Sequence, residues 1–218
     1  RKLEIVPQGL CYRGRDRMKI EPYGPSAVLI TFADRLGDDA FARGRALARA
    51  LEHNPPPGLV EYVPAFTTML LEFEDRIPDL SFLDQIARTD LADAPIKEIP
   101  VIYDGKDVQR VADHNQLTVT EIRERHAAVI YKVYMLGFSP GFPYLGDLDP
   151  RLHTPRLSAP RTRVSAGSVA IGGQHTGIYP SDTPGGWNII GHTPVKLFDP
   201  AQMTFFLHPG DRVKFVPH

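Results

Sequence analysis

The stretch Gly137–Gly146, GFSPGFPYLG, lies just beyond the point where the chain changes character. It holds three glycines, two prolines and three aromatic residues in ten positions. Glycine permits backbone angles closed to other residues, and proline fixes φ and removes an amide donor, so together they specify one loop shape. Helix and strand signals alternate before this stretch, whereas from Val129 onward only short β-type runs remain. The sequence therefore predicts an α+β protein whose second half is all β.

The first half predicts a ferredoxin-like βαββαβ domain over residues 18–104. Apolar periodicity and turn residues place its elements in this order: a strand at 27–32, a helix at 38–54, strands at 58–63 and 66–73, a helix at 79–91 and a strand at 96–103. Two right-handed crossovers in this order put both helices on one face of the sheet.

The remaining segments receive three further predictions. Residues 105–128 form a bridging helical segment, with Thr118 and Glu121 spaced as a capping box. Residues 129–218 alternate short β runs with Gly and Pro turns, which indicates a barrel whose loops converge at a binding site. Residues 1–17 are basic and without pattern, and we interpret them as an N-terminal extension.

Composition narrows the class of partner. The chain has 25 Lys plus Arg against 26 Asp plus Glu, so there is no global charge that favours nucleic acid or an anionic membrane. Its single cysteine suits a reducing compartment, and no apolar run reaches the roughly 20 residues that span a bilayer. We expect a cytoplasmic protein that binds a small molecule or another protein.

Four segments of the second half resemble a known family. They are YMLGFSPGFPYLGDLDPRL, PRTRVSAGSVAIGG, TGIYPSDTPGGWNIIGHTPVKLFDP and PGDRVKFVP, and in this order they are similar to the family of the 5-oxoprolinase B subunit, KipI and allophanate hydrolase subunit 1. The resemblance implies a ferredoxin-like domain followed by a cyclophilin-like β-barrel domain. That architecture agrees with the order of elements predicted above.

The resemblance implies three alternative functions. The first is the B subunit of an ATP-dependent 5-oxoprolinase, a non-autonomous part of a lactam hydrolase that works with an allophanate hydrolase subunit 2-like protein (the C subunit) and a protein like the A subunit. The second is a KipI-like inhibitor of a sporulation histidine kinase. The third is a carboxyltransferase-type subunit of a urea carboxylase and allophanate hydrolase system. The chain has no Walker A sequence, so we expect ATP with Mg²⁺ to be bound through the complex rather than by this chain alone.

Two aromatic Gly-Pro loops supply the predicted substrate-binding surface. Flat side chains and close backbone approach suit a cleft wall, and the alternative is a tight corner with a buried Trp behind a hairpin. The candidates are Phe142, Tyr144, Thr176, Tyr179, Gly185, Gly186 and Trp187.

Arg161 and Arg163 are the predicted anion-binding residues. A guanidinium holds a carboxylate or phosphate through two parallel hydrogen bonds, and 5-oxoproline and ATP carry these groups. The alternative is a solvated, arginine-rich loop.

His126 and His175 are the candidate general bases, although a core or helix-terminal histidine is the alternative for His126. His175 stands where the family usually has Gln, which puts a titratable ring near the predicted cleft. Histidine spacing shows no HExxH or Cys-His cluster, so no metal site is predicted. The chain thus predicts half of an active site, completed by partner subunits.

Overall fold

The computed structural model describes residues 18–81, 83, 86 and 94–218. The chain divides into two compact units, Arg1–Ala92 and Asp93–His218. Both contain helix and sheet, and strands outnumber helices among the described elements.

The described part of the first unit is a four-stranded antiparallel sheet with one helix. Its elements are β1 (Lys19–Pro22), β2 (Ala27–Thr31), α1 (Asp38–His53), β3 (Leu59–Pro64) and β4 (Thr68–Phe73), and the sheet order is β1-β2-β4-β3. Helix α1 connects β2 to β3 while β4 lies between them, so these four elements form one split βαβ unit. The helix buries Phe41, Leu47 and Leu51, as its periodicity predicted.

The prediction for the last strand of this unit was wrong. Residues 96–101 do form a strand, β5 (Ile96–Val101), but it belongs to the second unit and pairs in parallel with β15 (Arg212–Pro217). The edge beside β2 is occupied instead by β1, which forms a hairpin with it. A strand's apolar pattern identifies the strand and not its partner, and this partner lies more than a hundred residues away. The predicted helix at 79–91 falls mainly outside the described residues.

The second unit is built on a seven-stranded sheet. Its further elements are α2 (Val108–Asn115), α3 (Val119–Ala128), β6 (Ile130–Leu136), β7 (Pro143–Leu145), β8 (Arg161–Val164), β9 (Ser168–Gly172), β10 (His175–Ile178), β11 (Thr183–Gly185), β12 (Asn188–His192), β13 (Phe198–Asp199) and β14 (Thr204–Phe205). The large sheet has the order β12-β9-β10-β7-β6-β15-β5, and β8–β11 and β13–β14 form two small ribbons.

The segment predicted as a bridge belongs to the second unit. Val111 of α2 and Ile122 of α3 are fully buried in one core with Ile99, Tyr131 and Phe215 of the sheet. The capping box at the start of α3 is confirmed, since the Thr118 side chain accepts from the Glu121 backbone and the Glu121 carboxylate accepts from the Thr118 backbone. Both helices thus cover the sheet instead of linking two domains.

Backbone hydrogen bonds bring the two ends of this sheet together. Ile102, just beyond β5, exchanges two hydrogen bonds of 2.9 Å with His192 of β12, and the Asp107 N–H donates to the Ile189 carbonyl at 2.9 Å. The sheet therefore curls into a half-barrel, in agreement with the β-rich second half. The assignment of a ferredoxin-like fold to the first domain and of a cyclophilin-like fold to the second stays a prediction.

Candidate functional site

The loop of Gly137–Gly146 is a tight connection between β6 and β7. The Phe142 N–H donates to the Ser139 carbonyl at 3.0 Å, and the Gly137 N–H donates back to the Phe142 carbonyl at 3.1 Å. Phe138 and Gly141 both have positive φ, 66° and 79°, a region that a phenylalanine rarely occupies. The turn sends the Phe142 ring inward, where it is 1% exposed, while Phe138 stays 61% exposed. Only one of the two rings is in the core.

Phe142 is the centre of an aromatic cluster. Its ring meets the rings of Phe138, Tyr144, Tyr179 and Trp187 edge-on, with centroids 5.5, 5.2, 5.2 and 5.4 Å away. Edge-to-face pairs at this separation each contribute about 0.5–1.5 kcal/mol beyond their buried area. The cluster is therefore a rigid wall.

This wall encloses a pocket of about 340 Å³, in the range of small-molecule sites. Six predicted residues line it together: Phe142, Tyr144, Tyr179, Gly185, Gly186 and Trp187. The rest of its lining is Phe138, Arg156, Leu157, Pro160 and Pro184. The two aromatic Gly-Pro loops thus share one cavity, and substrate binding by these residues stays a prediction.

Two glycines make room for the rings of the wall. A Cβ at Gly185 would lie 2.3 Å from the Tyr179 hydroxyl, and one at Gly172 would lie 2.4 Å from the Trp187 ring. Both distances are too short for any side chain. These close approaches fix where the two rings sit.

The two tyrosines of the pocket are protonated at neutral pH. Burial raises the pKa of Tyr144 and of Tyr179, although a hydrogen bond from the Trp187 backbone opposes the effect on Tyr179. Each hydroxyl therefore keeps its proton and is a hydrogen-bond donor.

Among the lining residues that the sequence analysis missed, Arg156 is the charged one. Its guanidinium carbon lies 5.7 Å from the centroid of the Trp187 ring, a cation–π contact, and Arg156 is the one charged side chain among the described residues of the lining. The sequence places four arginines between 151 and 163 with no long regular element to order them. No periodicity indicated which of the four faces the cavity.

The two predicted anion-binding arginines are engaged elsewhere. Arg161 donates to the buried Asp107 carboxylate at 2.6 Å and to the Trp187 carbonyl at 3.4 Å. Arg163 pairs with Asp182 on an exposed ribbon, where its side chain is 76% exposed. Neither lines the pocket, and Arg161 instead positions the backbone of Trp187.

His126 lies in the core, away from the pocket. Thr176 donates its hydroxyl to the Ala170 carbonyl at 3.0 Å, so it accepts from Nε2–H of His126 at 2.8 Å, and Nδ1 accepts from Tyr103 at 2.8 Å. The ring stacks on Phe215 at 4.5 Å, and burial lowers its pKa to about 3. This geometry favours the core alternative and does not support proton transfer by His126.

Thr176 and His175 also lie outside the lining. Thr176 belongs to β10 and is fully buried as the partner of His126. His175 begins β10, and its pKa is lowered by burial and by the positive charge of Arg156. A proton-transfer role for His175 stays a prediction.

Two absences hold for the described residues. No helix among them is long and apolar enough to cross a membrane. They contain no group of three or more His, Cys, Asp or Glu side chains placed to hold a metal ion.

Comparison with known proteins identifies the class. Residues 18–208 match the family described as "Carboxyltransferase domain, subdomain C and D". The chain belongs to this family.

Several relatives within this similarity carry the name of one enzyme subunit. A 5-oxoprolinase B subunit of Bacillus subtilis (strain 168) is 40% identical over 92% of both chains, and one of Escherichia coli O157:H7 is 45% identical over 74% of this chain and 79% of its own. These matches confirm the resemblance to the B subunit of 5-oxoprolinase. Shorter stretches, at most 51% of the chain, match urea amidolyases and a putative urea carboxylase.

A solved structure supports the fold. The crystal structure of TTHA0988 superposes with a TM-score of 0.80 at 41% identity and covers 88% of this chain. The present chain spans only 40% of that longer chain.

Proposed function

We propose that this chain is the B subunit of an ATP-dependent 5-oxoprolinase complex that converts 5-oxo-L-proline to L-glutamate. The names of the relatives at 40 and 45% identity support the activity. The observation that supports a substrate-binding role for this chain is the aromatic pocket. Its volume of about 340 Å³ and its apolar wall suit a small ring. The pocket is then the substrate-binding half of the active site.

The pocket orients the lactam and excludes water from it. The Trp187 and Tyr179 rings, which line the pocket, pack against the apolar edge of the substrate. Hydrolysis of an unstrained amide also needs stabilisation of the oxyanion and a general base. We assign these groups, with ATP and Mg²⁺, mainly to the partners, which are a protein like the A subunit of such complexes and an allophanate hydrolase subunit 2-like protein.

An omission experiment tests this proposal. Glutamate release from 5-oxoproline and ATP is measured with this chain alone, with its copurifying partners alone, and with the complete mixture. We expect release only in the complete mixture. Equal release by the partners without this chain would overturn the proposal.

One alternative has support from a specific observation. The family description names a carboxyltransferase domain, which favours a carboxyltransferase-type subunit. Matches to urea amidolyases favour it too, although each of them covers only 51% of the chain. ATP-dependent carboxylation of urea by added bicarbonate in the complete mixture, without glutamate release, would establish it. Inhibition of a histidine kinase and a cytoplasmic location stay predictions, and stable binding to an isolated kinase helical domain would favour the former.

A further inference from the structure

The backbone around Arg156 is fixed although it lies outside any helix or strand. Thr154 exchanges hydrogen bonds of 3.1 and 2.8 Å with Gly173, and the Pro155 carbonyl accepts from the buried Asn188 amide at 3.0 Å. On the other side, the Leu157 N–H donates to the Gly186 carbonyl at 2.8 Å. Arg156 therefore projects from a held segment, which reduces the ordering cost that a ligand must offset on binding.

The guanidinium of Arg156 keeps its edge available. Arg161 and Arg163 donate to Asp107 and Asp182, whereas Arg156 has no ion pair or hydrogen bond with any residue in the described part of the chain. Its guanidinium carbon lies over the Trp187 ring at 5.7 Å from the centroid, a contact that uses none of its five N–H donors. Among the described residues that line the pocket, none is an aspartate or glutamate, so the charge of Arg156 favours an anionic ligand.

We propose that Arg156 determines the specificity of the pocket by binding the carboxylate of a small cyclic acid through two parallel hydrogen bonds. The ring of that acid packs against the aromatic wall beside Trp187. The planar fork of arginine matches a carboxylate, which a lysine ammonium at the same place does not. The identity of the acid as 5-oxoproline rests on the proposed function, whereas the requirement for a carboxylate does not.

Trp187 provides a direct readout because it is the single tryptophan of the chain and lines the pocket. Its emission is followed while the full chain is titrated with 5-oxo-L-proline, with 2-pyrrolidinone, which is the same lactam without a carboxylate, and with cyclopentanecarboxylate, which has the carboxylate without the lactam. The quantity compared is the ligand concentration at half-maximal change, since loss of Arg156 also alters the starting emission.

We expect both acids to bind and 2-pyrrolidinone to bind at least about tenfold more weakly, as loss of a charged hydrogen-bonding partner implies. Arg156→Met weakens the binding of both acids by a similar factor. The affinity of Arg156→Lys for the acids falls between that of Arg156→Met and that of the wild type. Arg163→Met is the matched control, because Arg163 lies outside the pocket, and it leaves binding unchanged.

The outcomes separate this inference from the proposed function. Unchanged acid binding by Arg156→Met, equal binding of the two lactams, or no response to any ligand would overturn the role of Arg156 and leave the 5-oxoprolinase assignment standing. Binding of cyclopentanecarboxylate with rejection of 5-oxoproline would support Arg156 and contradict the assigned substrate.

Discussion

Acidification should destabilise the second unit through His126. Its ring is completely buried, and burial lowers its pKa from 6.5 to about 3. Because the folded state disfavours the proton, stability is full above the unfolded pKa and falls as the pH drops from about 6.5 towards 3. Each pH unit in this window costs about 1.4 kcal/mol, so at pH 5 the loss amounts to about 2 kcal/mol.

The assay is urea unfolding at pH 7.5 and pH 5.0, followed by the emission of Trp187, which reports on the same unit. His126→Gln loses stability at both pH values, since the stacking on Phe215 is weakened. The difference between its free energies of unfolding at pH 7.5 and pH 5.0 should be smaller than that of the wild type by about 2 kcal/mol. His114→Gln, at an exposed histidine, is the control and should retain the wild-type difference. Equal pH differences in His126→Gln and wild type would refute the buried, neutral ring and reopen a proton-transfer role.

Three further substitutions test a close approach, an ion pair and a helix cap, and each is measured by the free energy of unfolding. Gly172→Ala places a methyl group 2.4 Å from the Trp187 ring and should cost about 1–3 kcal/mol, whereas Gly186→Ala meets Pro160 only at 3.7 Å and should be near neutral; equal effects would contradict the close approach. Arg161→Met leaves the buried Asp107 unpaired and should cost about 1.5–3 kcal/mol, against at most about 1 kcal/mol for Arg163→Met; the reverse order would be inconsistent with the two ion pairs. Thr118→Ala removes the cap of α3 and should cost about 1 kcal/mol, and Thr120→Ala inside the same helix should not.

Local signals in the sequence predicted most individual elements. The capping box of Thr118 and Glu121 involves neighbours in the chain, and the apolar spacing of Phe41, Leu47 and Leu51 follows from helix geometry. Partner choice is not local, which is why β5 was placed in the wrong sheet. Its parallel pairing with β15 joins opposite ends of the second unit.

Only part of the candidate site was predicted from the sequence, because contacts between distant residues leave no local signal. Aromatic Gly-Pro loops have a strong local signature, which led to Trp187 and Tyr179, and the structure places both residues in the lining of one cavity. The arginines were not, because the choice among them depends on distant carboxylates: Asp107 engages Arg161, and Asp182 engages Arg163. Arg156 faces the cavity because hydrogen bonds with Asn188 and Gly186 hold its segment there, and no sequence pattern reveals them.

The most direct test of the pocket as part of the active site uses two exposed residues that share a positive φ. Phe138 lines the pocket and Met203 does not, although both have positive φ and are 61% and 66% exposed. The measurement is ATP-dependent glutamate release from 5-oxoproline by the complete complex, with copurification of the partners checked for each variant. Phe138→Ala should lower kcat/KM about tenfold, as loss of about 1.4 kcal/mol of contact implies, and Met203→Ala should retain wild-type activity. Full activity of Phe138→Ala in an intact complex would contradict the account.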